Sequence, residues 1–301
     1  MKKKNKVKNY IKSLNSLDDK LIIVTGANSG LGYEISKVAL LKGAKLVMAC
    51  RNEKRALSAK EKLIEETHNS NIEIVLYDQS DFDSVRKFAK EIIKKYSNFF
   101  ALVLNAGLFK TDENIDELHI SKVYKTNYLG ALLLLNELSS FLNTVKEEKR
   151  IIIQGSMASF FYKYRKEDKF IYGELSGWKQ YSLSKLCCSN LYFHFKENNQ
   201  NEFVKLLLCE PGVAATNLFS SFPKWLSKIA LPLIRVFAND SEDGALSACK
   251  LMCDEVGNGD YYRPKNFFSS SGLPKKAIYP QKYVYPQIIT KGLEIIDSYD
   301  K

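Results

Sequence analysis

Apolar and polar positions along this chain follow two alternating periods. Short apolar runs at 21–25, 45–50, 72–77, 101–104, 150–154 and 204–209 read as strands. The segments between them repeat apolar residues every three to four positions, as a helix with one buried face does. Helices are predicted at about 31–42, 53–67, 81–96, 121–145 and 181–197, with Asp81 placed to cap the third. Strands and helices alternate at least six times. That predicts an α/β fold, a doubly wound parallel sheet of Rossmann type with helices on both faces. Ligands of such a sheet bind at the carboxyl ends of its strands. No internal repeat or linker divides the sequence, so residues 18–301 are expected to form a single domain.

The first strand runs into Thr25-Gly26-Ala27-Asn28-Ser29-Gly30-Leu31-Gly32, and a helical pattern of Leu31, Ile35, Val38 and Ala39 follows. Strand, glycine turn and helix together form the context in which this spacing binds a dinucleotide. Gly26 and Gly30 let the backbone turn and approach a pyrophosphate closely, and Gly32 lets the helix pack on the strand. The N–H groups around Asn28, Ser29, Gly30 and Leu31 then face the anion. A glycine-rich turn without a ligand would leave the same pattern. The second strand ends at Cys50-Arg51-Asn52, about 20 residues beyond the loop, where such folds meet the adenine ribose. An acid there would bind the ribose 2′-hydroxyl. Arg51 instead suits a 2′-phosphate by charge and by its forked donors. The expected cofactor is therefore NADP(H) in preference to NAD(H).

Composition narrows the class. With 301 residues and 45% hydrophobic content, the chain can bury a large core. Its six cysteines form no CxxC pair, and Cys50, Cys187 and Cys209 lie in or beside apolar runs. Buried free thiols in a reducing compartment are expected. Three scattered histidines and no His/Cys cluster argue against a metal site. The net charge is +11, but Lys2, Lys3, Lys4, Lys6, Lys8 and Lys12 all precede the first acid. No apolar stretch follows them, which argues against a secretory signal, and no stretch is long and apolar enough to span a bilayer. Residues 1–17 are expected to be a solvated, disordered leader. Anionic lipid or nucleic acid could meet such a leader, although no nucleic-acid partner is expected. The expected location is cytoplasmic, with weak peripheral attachment to a membrane surface left open.

Further motifs occur in order, each in its strand context: Asn105-Ala106-Gly107, Asn127, Ser156, Tyr181-x-x-x-Lys185 and Pro211-Gly212-x-x-x-Thr216. With the glycine loop they resemble the short-chain dehydrogenases/reductases over about residues 18 to 262. Met48-Ala49-Cys50-Arg51, the Tyr-x-x-Ser-Lys at 181–185 and Pro211-Gly212-Val213-Ala214-Ala215-Thr216 are similar to the retinol-dehydrogenase-like branch. The resemblance implies hydride transfer between a nicotinamide and a carbonyl or alcohol. It implies that Asp78 and Gln79 meet the adenine, and that Asn105, Ala106 and Gly107 line the adenosine side. Pro211, Gly212, Val213 and Thr216 would hold the nicotinamide end. The implied catalytic set is Asn127, at a kink in its helix, with Ser156, Tyr181 and Lys185.

The chemistry of those residue types agrees. An unassisted phenol gives up its proton reluctantly at neutral pH. A lysine ammonium one helical turn away favours the phenolate. Tyr181 can then give a proton to a carbonyl oxygen or take one from an alcohol, while Ser156 hydrogen-bonds the same oxygen. Tyr-x-x-x-Lys also occurs at Tyr33, Tyr162, Tyr192 and Tyr261. The helix after Ser156 begins at the carboxyl end of the sheet, so Tyr181 is expected in its first turn. Tyr192 would lie on nearly the same face, about 16 Å further along. Ser159 is close enough in sequence to rival Ser156.

Two segments bear on the substrate. The 24 residues between Ser156 and Tyr181 include Phe160, Phe161, Tyr162, Tyr164, Phe170, Tyr172 and Trp178. These rings either wall a substrate pocket or form a small core under the loop. Residues 213–240 repeat apolar positions at helical spacing, among them Phe222, Trp225, Leu226 and Ile229, and the family places its lid there. Such a segment can close over a lipophilic substrate, lie on a membrane, pack on a partner subunit in a homo-oligomer, or pack on its own core. Together they point to a small-molecule carbonyl or alcohol of extended, lipophilic character. The alternative is a dinucleotide-binding scaffold or redox sensor with vestigial catalysis, although the tyrosine, lysine and serine are all present.

Overall fold

A computed structural model describes residues 2–109, 118–168, 170, 175–212, 241–266 and 271–300. The strands among them are β1 (Leu21–Thr25), β2 (Lys45–Cys50), β3 (Ile72–Leu76), β4 (Ala101–Leu104), β5 (Lys149–Gln154), β6 (Val204–Cys209), β7 (Tyr261–Pro264) and β8 (Pro274–Ala277). They form one sheet in the order β3-β2-β1-β4-β5-β6-β7-β8. Every neighbouring pair is parallel except β7 and β8, which run antiparallel with Tyr261 opposite Ala277. The helices are α1 (Lys2–Ser13), α2 (Gly30–Leu41), α3 (Glu53–Thr67), α4 (Phe82–Lys95), α5 (Lys122–Tyr124), α6 (Gly130–Leu142), α7 (Gly177–Asn198), α8 (Ser241–Cys253) and α9 (Gln287–Ser298).

The strands are apolar at nearly every position because both faces of the sheet are covered. Side chains alternate between two cores. Ile23, Val47, Leu102, Ile151, Ile153, Leu206 and Leu208 join residues of α4, α6, α7 and α9. Ile22, Val24, Leu46, Met48, Val103, Ile152 and Leu207 join residues of α1, α2, α3 and α8. The six cysteines are buried and free. Among the described residues no helix is long and apolar enough to cross a membrane.

The structure corrects the expected leader. Residues 2–13 are helical rather than disordered, and Val7, Ile11, Leu14 and Leu17 are buried in the α2/α8 core. Val7 and Ile11, four apart, share one face of the helix, Leu14 and Leu17 follow it in the connection to β1, and their burial outweighs the mutual repulsion of the lysines. Lys42 Nζ donates to the carbonyls of Lys12 and Leu14 at 2.9 and 2.5 Å, so a cation sits at the helix's negative end. Two further elements lie beyond the segment that carried the family resemblance. β8 extends the sheet, and α9 is pinned where Tyr128 Oη donates to the Ile288 carbonyl at 2.6 Å.

Candidate active site

The chain leaves β1 for β2 and β3 on one side, then crosses back to β4 on the other. A crevice opens at the carboxyl ends of the strands where the direction reverses. It is a cleft of about 790 Å³ whose walls include Gly26, Gly30, Arg51, Asp78, Ala106, Tyr181, Lys185 and Pro211. Gly26 and Gly30 have φ of +67° and +56°, the left-handed region that side chains disfavour. A Cβ on Gly32 would lie 2.3 Å from the Gly26 carbonyl oxygen and 2.5 Å from Asn105 Nδ2. Asn105 braces this loop, since its Nδ2 donates to the Thr25 carbonyl at 2.9 Å and its N–H to Thr25 Oγ1 at 3.0 Å.

The cradle fits a pyrophosphate because α2 begins without a side-chain cap. Ser29 occupies the cap position and makes no side-chain hydrogen bond to the first turn. Two neighbouring helices are capped: Asn52 accepts from the Arg55 N–H on α3, and Asp81 accepts from Asp83 and Ser84 on α4. The N–H groups that open α2 therefore lack the cap partner their counterparts have, and they face the cleft. The aspartate cap on α4 is the one expected from sequence.

In the wall of the cleft after β2, Arg51 is more than half exposed, with Nε 3.8 Å from Asp78 Oδ2. Arg55, one turn along α3, lines the same wall. Arg55 belongs to no motif of the sequence; it reaches this wall because α3 starts at Glu53, just after Arg51. Asp78 Oδ1 accepts from the Ser80 N–H and hydroxyl at 2.9 and 2.6 Å. The Gln79 side chain is spent internally, donating to the carbonyls of Thr126 and Ala106 and accepting from Tyr77 Oη. It ties the loop after β3 to the loop after β4, a use that its expected place at the adenine did not include.

At the other end the helix holding Asn127 is interrupted. Lys125–Leu129 is a π-turn between α5 and α6, a widening that lets a side chain reach out of the helical ladder. Asn127 Oδ1 accepts from the Leu108 N–H at 2.6 Å. Its Nδ2 donates to the Leu108 carbonyl at 2.8 Å and to Ser184 Oγ at 2.9 Å. One amide thus joins the β4 loop to α7 beside the catalytic candidates. Lys185 is buried, donates to the Gln154 carbonyl at 3.1 Å, and stands 3.6 Å from where a Cβ on Gly107 would be. α7 starts at Gly177, so Tyr181 lies in its second turn rather than its first. Both Tyr181 and Lys185 line the cleft.

Ser156 caps the 3-10 turn Met157–Phe161, accepting from the Ala158 N–H at 3.2 Å, and this turn packs against α7. Its oxygen is engaged as an acceptor, which leaves its own proton to donate. Ser159, the rival serine, is fully buried and hydrogen-bonded with Tyr279 Oη at 3.3 Å. The rival tyrosines are also placed elsewhere. Tyr192 Oη donates to the Gly259 carbonyl at 2.6 Å, and burial followed by Asp260 raises its pKa to about 12. Tyr162 Oη donates to Asp168 Oδ1 at 2.8 Å. Burial raises the pKa of Tyr33 and Tyr261 far above the ordinary phenol value.

The aromatic insert divides between its two readings. Tyr162, Tyr164 and Phe170 are buried in the main core, with Phe170 5.1 Å from Tyr124 and 5.7 Å from Tyr128. Phe160 packs on Tyr279 and Tyr283. Phe161 and Trp178 are 65% and 38% exposed, 6.0 Å apart, and Trp178 lies 6.2 Å from Tyr181. Phe109, from the β4 loop, meets the Tyr181 ring edge to face at 5.0 Å. No local signal marked Phe109. Tyr172, Val213, Thr216 and the expected lid at 213–240 lie outside the described residues. Among the described residues no group of His, Cys, Asp and Glu is arranged to hold a metal.

Glu210, just past the end of β6 and before Pro211, is fully buried, near the Tyr261 hydroxyl. Burial raises its pKa to about 7, opposed by the Tyr261 hydroxyl and by Arg263. The folded state therefore holds this proton more tightly than the unfolded chain does. Stability falls as pH rises from the ordinary carboxyl range toward 7, by an amount on the order of 3 kcal/mol, and stays lowered above it. Glu210→Gln is expected to melt higher than the parent at pH 8, with the gap closing by pH 5. Parallel melting curves across that range would count against it.

Similarity to known proteins agrees with this architecture. The short chain dehydrogenase family profile matches residues 20–227. A WW domain-containing oxidoreductase of Gallus gallus is 27% identical over 263 residues, 82% of this chain and 61% of that protein. The chain thus spans about three fifths of the length of that relative and its counterparts. A polyprenol dehydrogenase of Danio rerio is 29% identical over 236 residues, 76% of this chain and 72% of that one. The crystal structure of a short chain dehydrogenase from Shigella flexneri complexed with NADP shares the fold. It superposes with a TM-score of 0.61 at 18% identity, covering 80% of this chain and 94% of that one. With the glycine cradle, the parallel sheet and the Tyr181/Lys185 pair in one cleft, the profile match over residues 20–227 shows that the chain belongs to the short-chain dehydrogenase family of NAD(P)-dependent oxidoreductases.

Proposed function

We propose that this protein is an NADP(H)-dependent oxidoreductase that interconverts a lipophilic carbonyl compound and its alcohol. The observation that carries the reading is one cleft. It joins the uncapped start of α2, two arginines at the ribose end, and Tyr181 with Lys185 at the far end. The nicotinamide, when bound, supplies or accepts the hydride. The N–H groups around Asn28, Ser29, Gly30 and Leu31 would hold the pyrophosphate, and Arg51 with Arg55 would hold the 2′-phosphate. Lys185 keeps a positive charge near the Tyr181 phenol, so that Tyr181 Oη releases its proton to the substrate oxygen in reduction and regains it in oxidation. Ser156 donates a hydrogen bond to that oxygen, and Asn127 holds the β4 loop and α7 at their spacing. Phe109, Phe161 and Trp178 set apolar rings beside the reacting oxygen, which favours a greasy substrate. A relative named for a polyprenol supports the same preference.

Arg51→Ala is expected to weaken NADPH by on the order of 1.5–3 kcal/mol, the worth of a charge-assisted contact, and to leave NADH unchanged. Fluorescence titration with both cofactors reads this directly, and equal losses would remove the NADP preference. The companion assay is a series of aldehydes of rising chain length with NADPH. kcat/KM is expected to rise with apolar length, and a flat or falling series would overturn the lipophilic reading.

A further inference from the structure

α1 turns its apolar stripe inward and a charged face outward. Val7, Ile11 and Leu14 are buried, whereas Lys6, Lys8 and Lys12 are exposed and none of the three forms an ion pair. The other exposed positions described on this helix are Asn5, Asn9 and Ser13. α3 and α4 interleave their lysines with acids, Glu53, Glu61, Glu65 and Glu66 on one and Asp83 and Glu91 on the other. α1 carries no acid at all, so nothing within the helix neutralises its field.

The fold makes this face a fixed platform. At one end of α1 the Leu17 N–H donates to the Lys42 carbonyl at 2.7 Å, near the amino ends of β1 and β2. Along the helix, Asn5, Lys6, Asn9, Tyr10 and Ser13 share one shallow hollow with Leu273. The Leu273 carbonyl accepts from the Lys265 N–H at 3.1 Å, just past the carboxyl end of β7. α1 is thus held against the α2/α8 side of the sheet along its length, with its lysines left on the outside.

The residue types choose among polyanions. The exposed positions of α1 hold no arginine fork to clasp a phosphodiester and no aromatic ring for a base to stack on. Lysine point charges on a smooth polar helix suit a laterally spread anionic layer, where each contributes roughly a fivefold gain in binding at low salt. We propose that the outer face of α1 docks this protein on anionic phospholipid bilayers. This surface is independent of the chemistry assigned to the cleft.

The test is co-sedimentation of the full chain with vesicles of phosphatidylcholine, with and without phosphatidylserine. Binding is expected only with phosphatidylserine and is expected to weaken steeply with added salt. The triple variant Lys6→Glu, Lys8→Glu, Lys12→Glu should lose at least roughly a hundredfold in binding, while keeping its melting temperature and its NADPH titration. A matched triple variant on α4, Lys87→Glu, Lys90→Glu, Lys94→Glu, carries the same charge change elsewhere and should bind nearly as the parent. Equal losses in the two triple variants would reduce the effect to net charge and overturn the assignment of this face. So would equal binding to pure phosphatidylcholine. Duplex DNA that displaces the protein from the vesicles at equal phosphate concentration would overturn the lipid assignment in favour of nucleic acid.

Discussion

Tyr181→Phe is expected to lower kcat by roughly 10²–10⁴-fold, the range that a positioned acid–base group contributes, and to leave NADPH affinity nearly unchanged. The substitution removes one oxygen and keeps the ring that packs on Phe109 at 5.0 Å. The loss should fall on the proton step and not on cofactor binding or folding. Tyr192→Phe is the matched control: its hydroxyl donates to the Gly259 carbonyl, so it should lose a little stability and little turnover. A dead Tyr192→Phe beside an active Tyr181→Phe would overturn the assignment of the acid–base group.

Gly32→Ala is expected to cost both cofactor affinity and stability. The added Cβ would stand 2.3 Å from the Gly26 oxygen and 2.9 Å from the Gly26 carbonyl carbon. Both are backbone atoms of the glycine loop proposed to cradle a pyrophosphate, and they yield only if the loop moves. Overpacking of this kind costs roughly 1–3 kcal/mol, or about 5- to 150-fold if all of it appears in cofactor binding. Gly30→Ala separates the two effects. A Cβ there meets no atom within 4 Å, so the fold bears only the left-handed backbone cost of about 1–2 kcal/mol, and further loss should appear in NADPH titration. If Gly30→Ala binds NADPH as the parent does, this loop does not hold the pyrophosphate.

The strands β1, β2, β4, β5 and β6 were legible because a strand buried on both faces must be apolar nearly throughout, and the edge strand β3 was legible from its apolar run although only Ile72 and Val75 are buried in it. The glycine loop was legible for a related reason: its conformation and close approaches exclude side chains at fixed spacings. α1 was misread because six lysines among its first twelve residues dominate the composition. The apolar set Val7, Ile11, Leu14 and Leu17 gains meaning only with α2 and α8 beside it. β8, with the sequence Pro-Lys-Lys-Ala, has no apolar alternation, as suits an edge strand, so nothing local announced it. The start of α7 was placed four residues late because Ser176, at its cap position, makes no side-chain hydrogen bond.

Within the site the division is the same. Periods of two and of three to four residues are local properties, so the order of elements and the glycine loop followed from spacing, whereas Tyr181 and Lys185 were singled out from four other Tyr-x-x-x-Lys pairs only by the place of their helix after Ser156. Contacts between distant segments are not local. Asn127 grips Leu108 and Ser184 from a π-turn, and Gln79 is consumed in bracing Thr126 and Ala106. Arg55 joins Arg51 on one wall, and Phe109 crosses from the β4 loop to meet Tyr181. The aromatic insert shows the reason most plainly. Phe170 and Phe161 are the same residue type nine positions apart, yet one is 1% exposed and the other 65%. Hydrophobicity told each ring to seek apolar company, but only the packed positions of α5, α6 and α7 settled which ring found it in the core and which was left on the surface beside Trp178.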